Sequence, residues 1–218
     1  TLREEGLLEN TYIVFMSDHG DMLGNHGLWA KRCFYDWSAR VPLIISGPAG
    51  DEKVPTNHVD SRIVGIQDVM PTLLDLCGIA VPESVEGVSA VGSNRRDVLY
   101  GEEGEGPQAT RMVHDGRHKL VYYPGGNKIQ LFDLENDPDE CNDVSQASAY
   151  REVRDRLTTA LVSRLYGSDL DWVKDGKLKG PEAPEYHYRP IPGLFGQRGS
   201  HWPPQPATGT EISDIDRL

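Results

Sequence analysis

Tyr12-Ile-Val-Phe-Met16 is an unbroken apolar run, flanked by Thr11 and Ser17 and followed by a loop punctuated by Gly20, Gly24 and Gly27. A β-branched and aromatic run this short fits a strand of a sheet covered on both faces, the pattern of parallel sheets. Pro42-Leu-Ile-Ile-Ser46 is a second such run and stops at Gly47-Pro48, which cannot continue a ladder. A helix is then well marked: Asp68 stands at its cap, Pro71 in its first turn, Leu73, Leu74 and Leu76 on its apolar face, and Gly78 at its end. Leu2, Leu7 and Leu8 ahead of the first run read as the end of another helix. Strand, loop, strand and helix define an α/β class. Because Thr1 opens inside such a unit without the features of a secretory leader, the chain reads as a piece of a longer protein.

From about Asp97 the period changes. Val98-Leu-Tyr100, Arg111-Met-Val-His114, Lys119-Leu-Val-Tyr-Tyr123 and Ile129-Gln-Leu-Phe132 are strand candidates, the last three joined by the hairpin chemistry of Asp115-Gly116 and Pro124-Gly-Gly-Asn127. They predict a small antiparallel sheet. Ser148 to Tyr166 places Val153, Leu157, Leu161 and Leu165 at i, i+4 spacing before Gly167, which predicts one helix packed on that sheet. Residues 181–206 hold prolines with Tyr186, Tyr188, Phe195 and Trp202, the composition of an extended arm. The expected organisation is 1–95, the α/β part; 96–167, sheet plus helix; and 168–218, the arm.

With 22 basic against 34 acidic side chains the formal charge is 22 − 34 = −12. That balance opposes binding to nucleic acid or an anionic lipid surface, and no basic patch offsets it. No apolar stretch is long enough to span a membrane. Cys33, Cys77 and Cys141 form no CxxC pair and no disulfide framework.

The densest set of reactive groups is Ser17-Asp-His-Gly-Asp-Met-Leu-Gly-Asn-His-Gly-Leu-Trp-Ala-Lys31. Asp18 and His19 fall at the carboxyl end of the first strand, where open α/β sheets place ligands. A carboxylate beside an imidazole offers one oxygen and one nitrogen to a divalent cation, and Lys31 returns a positive charge suited to an anionic substrate. The same residues also read as an ordinary turn, with Asp18 bonded to loop amides, His26 a surface imidazole and Lys31 solvated. The spacing is not that of an EF-hand, a zincin, a nucleophile elbow or a phosphate loop.

SDHGDMLGNHGLWAKRCFYDWSARVPLIISGP resembles the second signature region of the sulfatases, members of the alkaline phosphatase superfamily, in the form that carries Asp-His at the metal. Val59-Asp60 with Asp68-Val-Met-Pro-Thr-Leu-Leu-Asp-Leu-Cys-Gly78 is similar to the family's next helix, and Gln130-Leu-Phe-Asp-Leu-Glu-Asn-Asp-Pro-Asp-Glu140 to its C-terminal signature. The resemblance implies the C-terminal portion of an alkaline-phosphatase-like α/β domain followed by the small sheet and helix. It makes Asp18 and His19 ligands of a divalent ion, calcium in most members with manganese or magnesium as alternatives, and Lys31 the cation that grips sulfate. His26 either lines that pocket or is structural, and Arg40 braces the entrance to the second strand. The implied substrate is a small sulfate ester or sulfated sugar. The family's nucleophile, a formylglycine made from a C/S-x-P-x-R motif, has no counterpart here, since none of the three cysteines sits in that motif. It is expected in an N-terminal part of the same protein, together with the remaining ligands, so these residues alone are expected to be inactive. Two rivals are a phosphodiester or phosphonate hydrolase of the same superfamily and a non-catalytic binding module.

Overall fold

A computed structural model describes residues 1–181. In chain order they form β1 (Ile13–Met16), β2 (Met22–Leu23), β3 (Trp29–Ala30), α1 (Asp36–Ala39), β4 (Leu43–Ser46), α2 (Val69–Leu76), β5 (Leu99–Glu103), β6 (Thr110–His114), β7 (His118–Tyr123), β8 (Lys128–Asp133), α3 (Arg151–Val162), β9 (Val173–Lys174) and β10 (Lys177–Leu178). Two compact units share these elements: Thr1–Asp18 with Val41–Leu99, and His19–Arg40 with the described residues from Tyr100 onward. Tyr186, Tyr188, Phe195 and Trp202 lie outside the described residues.

In the first unit β1 pairs with β4, and the pairing is antiparallel, with Val14 opposite Ile45 and Met16 opposite Leu43. The expected parallel strand covered on both faces is therefore corrected. Burial alternates along both strands: Val14, Met16, Leu43 and Ile45 are half-buried, while Phe15 is 62% exposed and Ile13 and Ile44 share its open face. An apolar run without alternation has no polar face to mark which side meets solvent, so its sequence reads as doubly covered. The expected opening helix is a series of turns and a short 3-10 helix, Leu8–Asn10. Asp68 precedes α2 as expected but does not cap it. Its buried carboxylate accepts the amide protons of Gly65 (2.8 Å) and Val88 (2.7 Å) and pairs with Arg96, tying the chain on both sides of the helix together. Gly78 takes φ +68 after the helix, the left-handed stop that glycine suits.

The second unit is built on a four-stranded sheet of order β5-β6-β7-β8. Register places Met112 opposite Val121, Val113 opposite Leu120, Leu120 opposite Leu131 and Lys119 opposite Phe132. Both hairpins form as their turns predict. Asp115 accepts from the amides of Arg117 and His118, and Asn127 adopts φ +46 before β8. One face carries α3, which packs on β6 and β7 with Leu157 and Leu161 fully buried. Trp172 lies 6.3 Å from the Tyr122 ring on that side. The opposite face, with Met112, Val121 and Tyr123, is covered by Phe34. The loop that carries the candidate functional groups is thus itself part of the sheet's packing.

His114 ends β6 and accepts the Gly116 amide proton at Nδ1, 2.7 Å away. Burial first, and then Lys119 and Arg40, push its pKa down to about 4, against the opposite pull of Asp36 and Asp115. The unfolded chain binds that proton more tightly, so stability is full above about pH 6.5 and is lost as pH falls towards 4. Between pH 7 and 5 the loss is about 1 to 2 kcal/mol for a half-buried group. Urea denaturation at those two pH values should show this slope. In His114→Asn, whose amide oxygen keeps the acceptor, the slope should be shallower; an equal slope in both proteins would remove His114 as its source.

Candidate active site

Gly20 is the pivot of the functional loop. Its amide donates to the Ser38 carbonyl at 2.8 Å, and a Cβ there would lie 2.2 Å from the Trp37 carbonyl oxygen. Only glycine lets the chain lie this close to α1. His19, directly before it, is half-buried, and its Nδ1 stands 2.8 Å from the Gly20 carbonyl. A carbonyl only accepts, so Nδ1 carries the proton and Nε2 keeps its lone pair. That Nε2 receives the Lys31 ammonium at 2.5 Å. Two residues twelve apart in sequence are thereby brought to one point, an imidazole nitrogen and an ammonium in hydrogen-bond contact.

The short β2–β3 hairpin delivers Lys31. Met22 pairs with Ala30 and is fully buried, whereas Leu23 and Trp29 are exposed. Lys31 sits between two residues forced to positive φ, Ala30 (+65) and Arg32 (+76). Each costs about 1 kcal/mol or more for a residue with a Cβ, a strain that persists only where surrounding structure imposes it. Arg32 contacts Glu103 at 3.7 Å. His26, also at positive φ (+54), stacks on Tyr35 with ring centroids 4.1 Å apart, and Tyr35 in turn meets Phe132 at 5.8 Å. This stack holds His26 against the cover of the sheet.

Asp18 closes the first unit as His19 opens the second, and its carboxylate lies near the Ser17 hydroxyl (3.4 Å). Among the described residues no group of three or more His, Cys, Asp or Glu is gathered to hold a metal ion. A carboxylate and an imidazole are donor types that suit a divalent cation. Arg40 pairs with Asp36 at 3.6 Å from an exposed position.

Sequence reasoning missed the lock beneath this loop. Lys119, 1% exposed on β7, donates to the Phe34 carbonyl (2.8 Å), to Glu140 (2.8 Å) and to Asp36, while Glu140 also accepts the Asp36 amide proton at 2.6 Å. The available signal was a lysine at a core-facing position of an otherwise apolar strand. Asp133, within the C-terminal signature, is likewise structural. Its carboxylate takes a two-pronged bond from Arg117 and further bonds from Asn136 and Tyr150, which hold its pKa well below the usual carboxylate range.

Residues 24–165 match the family model described as N-sulphoglucosamine sulphohydrolase, C-terminal. An arylsulfatase of Clostridium perfringens is 35% identical over 183 residues, which cover 81% of this chain and 38% of that protein. A solved complex of a protein with its substrate D-glucosamine-2-N,6-O-disulfate superimposes with a TM-score of 0.67 at 28% identity, over 74% of this chain and 35% of the other. The phosphonate monoester hydrolase of Agrobacterium radiobacter superimposes at 0.63 with 25% identity, over 85% and 41%. The chain thus spans little more than a third of the length of the curated relative it matches. Its α/β architecture, its three ordered motifs and these likenesses agree, and the chain belongs to the sulfatase family, whose C-terminal region it matches.

Proposed function

We propose that this chain acts with a preceding segment of the same protein as a sulfatase, hydrolysing a small sulfate ester or a sulfated sugar. The observation that carries it is the meeting of the Lys31 ammonium with the unprotonated Nε2 of His19. Asp18 and His19 would hold a divalent cation, calcium foremost and manganese or magnesium as alternatives. When bound, the cation supplies Lewis-acid polarisation of a sulfate oxygen, and a formylglycine from the preceding segment supplies the attacking oxygen. The residues of this chain bind and orient. Asp18 contributes the negative charge that holds the cation, and Gly20 keeps the His19 proton on Nδ1 so that Nε2 is the ligand. His19 would offer Nε2 to the cation, and Lys31, held beside that nitrogen, would offer its ammonium to the anion. His26, stacked on Tyr35, borders the loop as a packing residue.

The open face of β1 and β4, with Ile13, Phe15 and Ile44, supports the preceding segment as a partner, because such a face is stable in water only when covered. Among the described residues no helix is long and apolar enough to cross a membrane. The likeness to a phosphonate monoester hydrolase favours one second reading, since tetrahedral anions share the geometry that Lys31 would grip. The full-length protein should release sulfate from an aryl sulfate with a higher kcat/KM than it cleaves an aryl phosphonate monoester, and the 218 residues alone should turn over neither. Preferential phosphonate cleavage would select the second reading, and turnover by the 218 residues would overturn the assignment of the nucleophile to another segment.

A further inference from the structure

We propose that Glu140 is a positioning residue for this site, fixing from below the loop that carries both His19 and Lys31. The inference rests on the reading of those two side chains given above. Two arms of hydrogen bonds start at its carboxylate. In the first, Oε2 accepts the Asp36 amide proton at 2.6 Å, which anchors the start of α1. The Ser38 carbonyl of that helix accepts from the Gly20 amide, and the Gly20 carbonyl holds the His19 proton on Nδ1. In the second, Oε1 accepts from the buried Lys119 ammonium at 2.8 Å, and that ammonium also grips the Phe34 carbonyl, three residues beyond Lys31.

The charges argue against a lock that serves packing alone. Lys119 is already matched by the Asp36 carboxylate, yet Glu140, 2% exposed, adds a second carboxylate to the same enclosed spot. Desolvating an extra anion is unfavourable, and burial accordingly raises the Glu140 pKa despite Lys119. What the second carboxylate adds is an acceptor for the first amide of α1, and through α1 a hold on Gly20. Glu140 is itself held in place, at φ +55 with its amide bonded to the Asp137 carbonyl at 3.0 Å. A residue more than a hundred positions downstream thus reaches the imidazole and the ammonium through backbone groups that have few alternative arrangements.

Amide exchange and long-range imidazole 15N spectra of the full-length protein, stripped of divalent cations, test this. In Glu140→Ala the Gly20 amide should exchange at least about tenfold faster relative to Leu120 and Val121 in the sheet, and His19 should pass from one tautomer to a mixture. Glu140→Gln, whose amide oxygen still accepts from Asp36, should recover part of both signals. Should Glu140→Ala lower sheet protection as well, the triple variant Asp36→Asn, Lys119→Met and Glu140→Leu decides, because a buried charged triad can be replaced whole by neutral groups without loss of fold. It too should loosen Gly20 and His19 while Leu120 and Val121 stay protected. Unchanged Gly20 exchange and His19 tautomer in a folded variant, or a uniform loss across loop and sheet in both, would overturn the proposal. As no metal takes part, that failure leaves the metal assignment standing, and a failed metal titration leaves this one standing.

Discussion

In the full-length protein Lys31→Ala should lower turnover by about 10² to 10³, equivalent to roughly 3 to 4 kcal/mol of lost transition-state stabilisation. The ammonium is preplaced at the loop's reactive point, 2.5 Å from His19 Nε2, with the residues on either side of Lys31, Ala30 and Arg32, strained to positive φ. A donor fixed in this way needs no reorganisation when charge builds on the sulfate oxygens, so its removal is felt in kcat rather than in binding alone. Lys31→Arg keeps the charge but replaces a compact ammonium with a planar fork, and should recover only part of the rate. Steady-state kinetics on an aryl sulfate distinguish the cases. Unchanged turnover with only a higher KM would remove Lys31 from the chemical step.

The largest stability effect is expected at Asp169→Ala, a loss of about 3 to 5 kcal/mol. Asp169 and Arg111 are both buried and joined by two bonds, 2.6 Å from Nε and 3.2 Å from a terminal guanidinium nitrogen. The same guanidinium stacks over Trp172 at 5.2 Å and donates to the carbonyls of Glu103, Gly104 and Thr110. Removing the carboxylate leaves a core cation whose remaining counter-charge is the partly exposed Glu102 at 4.0 Å, most of the costly half of a buried pair. It also frees the 3-10 segment Gly167–Trp172 that Trp172 anchors beside Tyr122. Thermal unfolding should fall by about 10 °C for a chain of this size. A shift of a degree or two would mean that the pair contributes little.

The parts of this molecule that sequence exposed most clearly are those with a strong local code. Asp115-Gly116 and Pro124-Gly-Gly-Asn127 dictate turns, and Leu157, Leu161 and Leu165 dictate one helical face, so the sheet and α3 follow from neighbours in sequence. β1 reads in sequence as doubly covered because Ile13 to Met16 are apolar on both sides, and only three-dimensional pairing shows that Ile13 and Phe15 share an open face. At the site, His19 and Lys31 were legible as chemistry, and their meeting needed coordinates. The Lys119, Asp36 and Glu140 lock was hidden because its members come from three distant segments, and no spacing rule links position 36 to positions 119 and 140.

The most direct test of the account is a calorimetric titration of calcium, then manganese, into the full-length protein and its Asp18→Ala/His19→Ala double variant. Loss of at least about 100-fold in affinity, with metal-free unfolding unchanged, is the predicted result, because two of the ion's protein ligands are gone. Equal affinity in the two proteins would contradict the assignment of Asp18 and His19 as ligands.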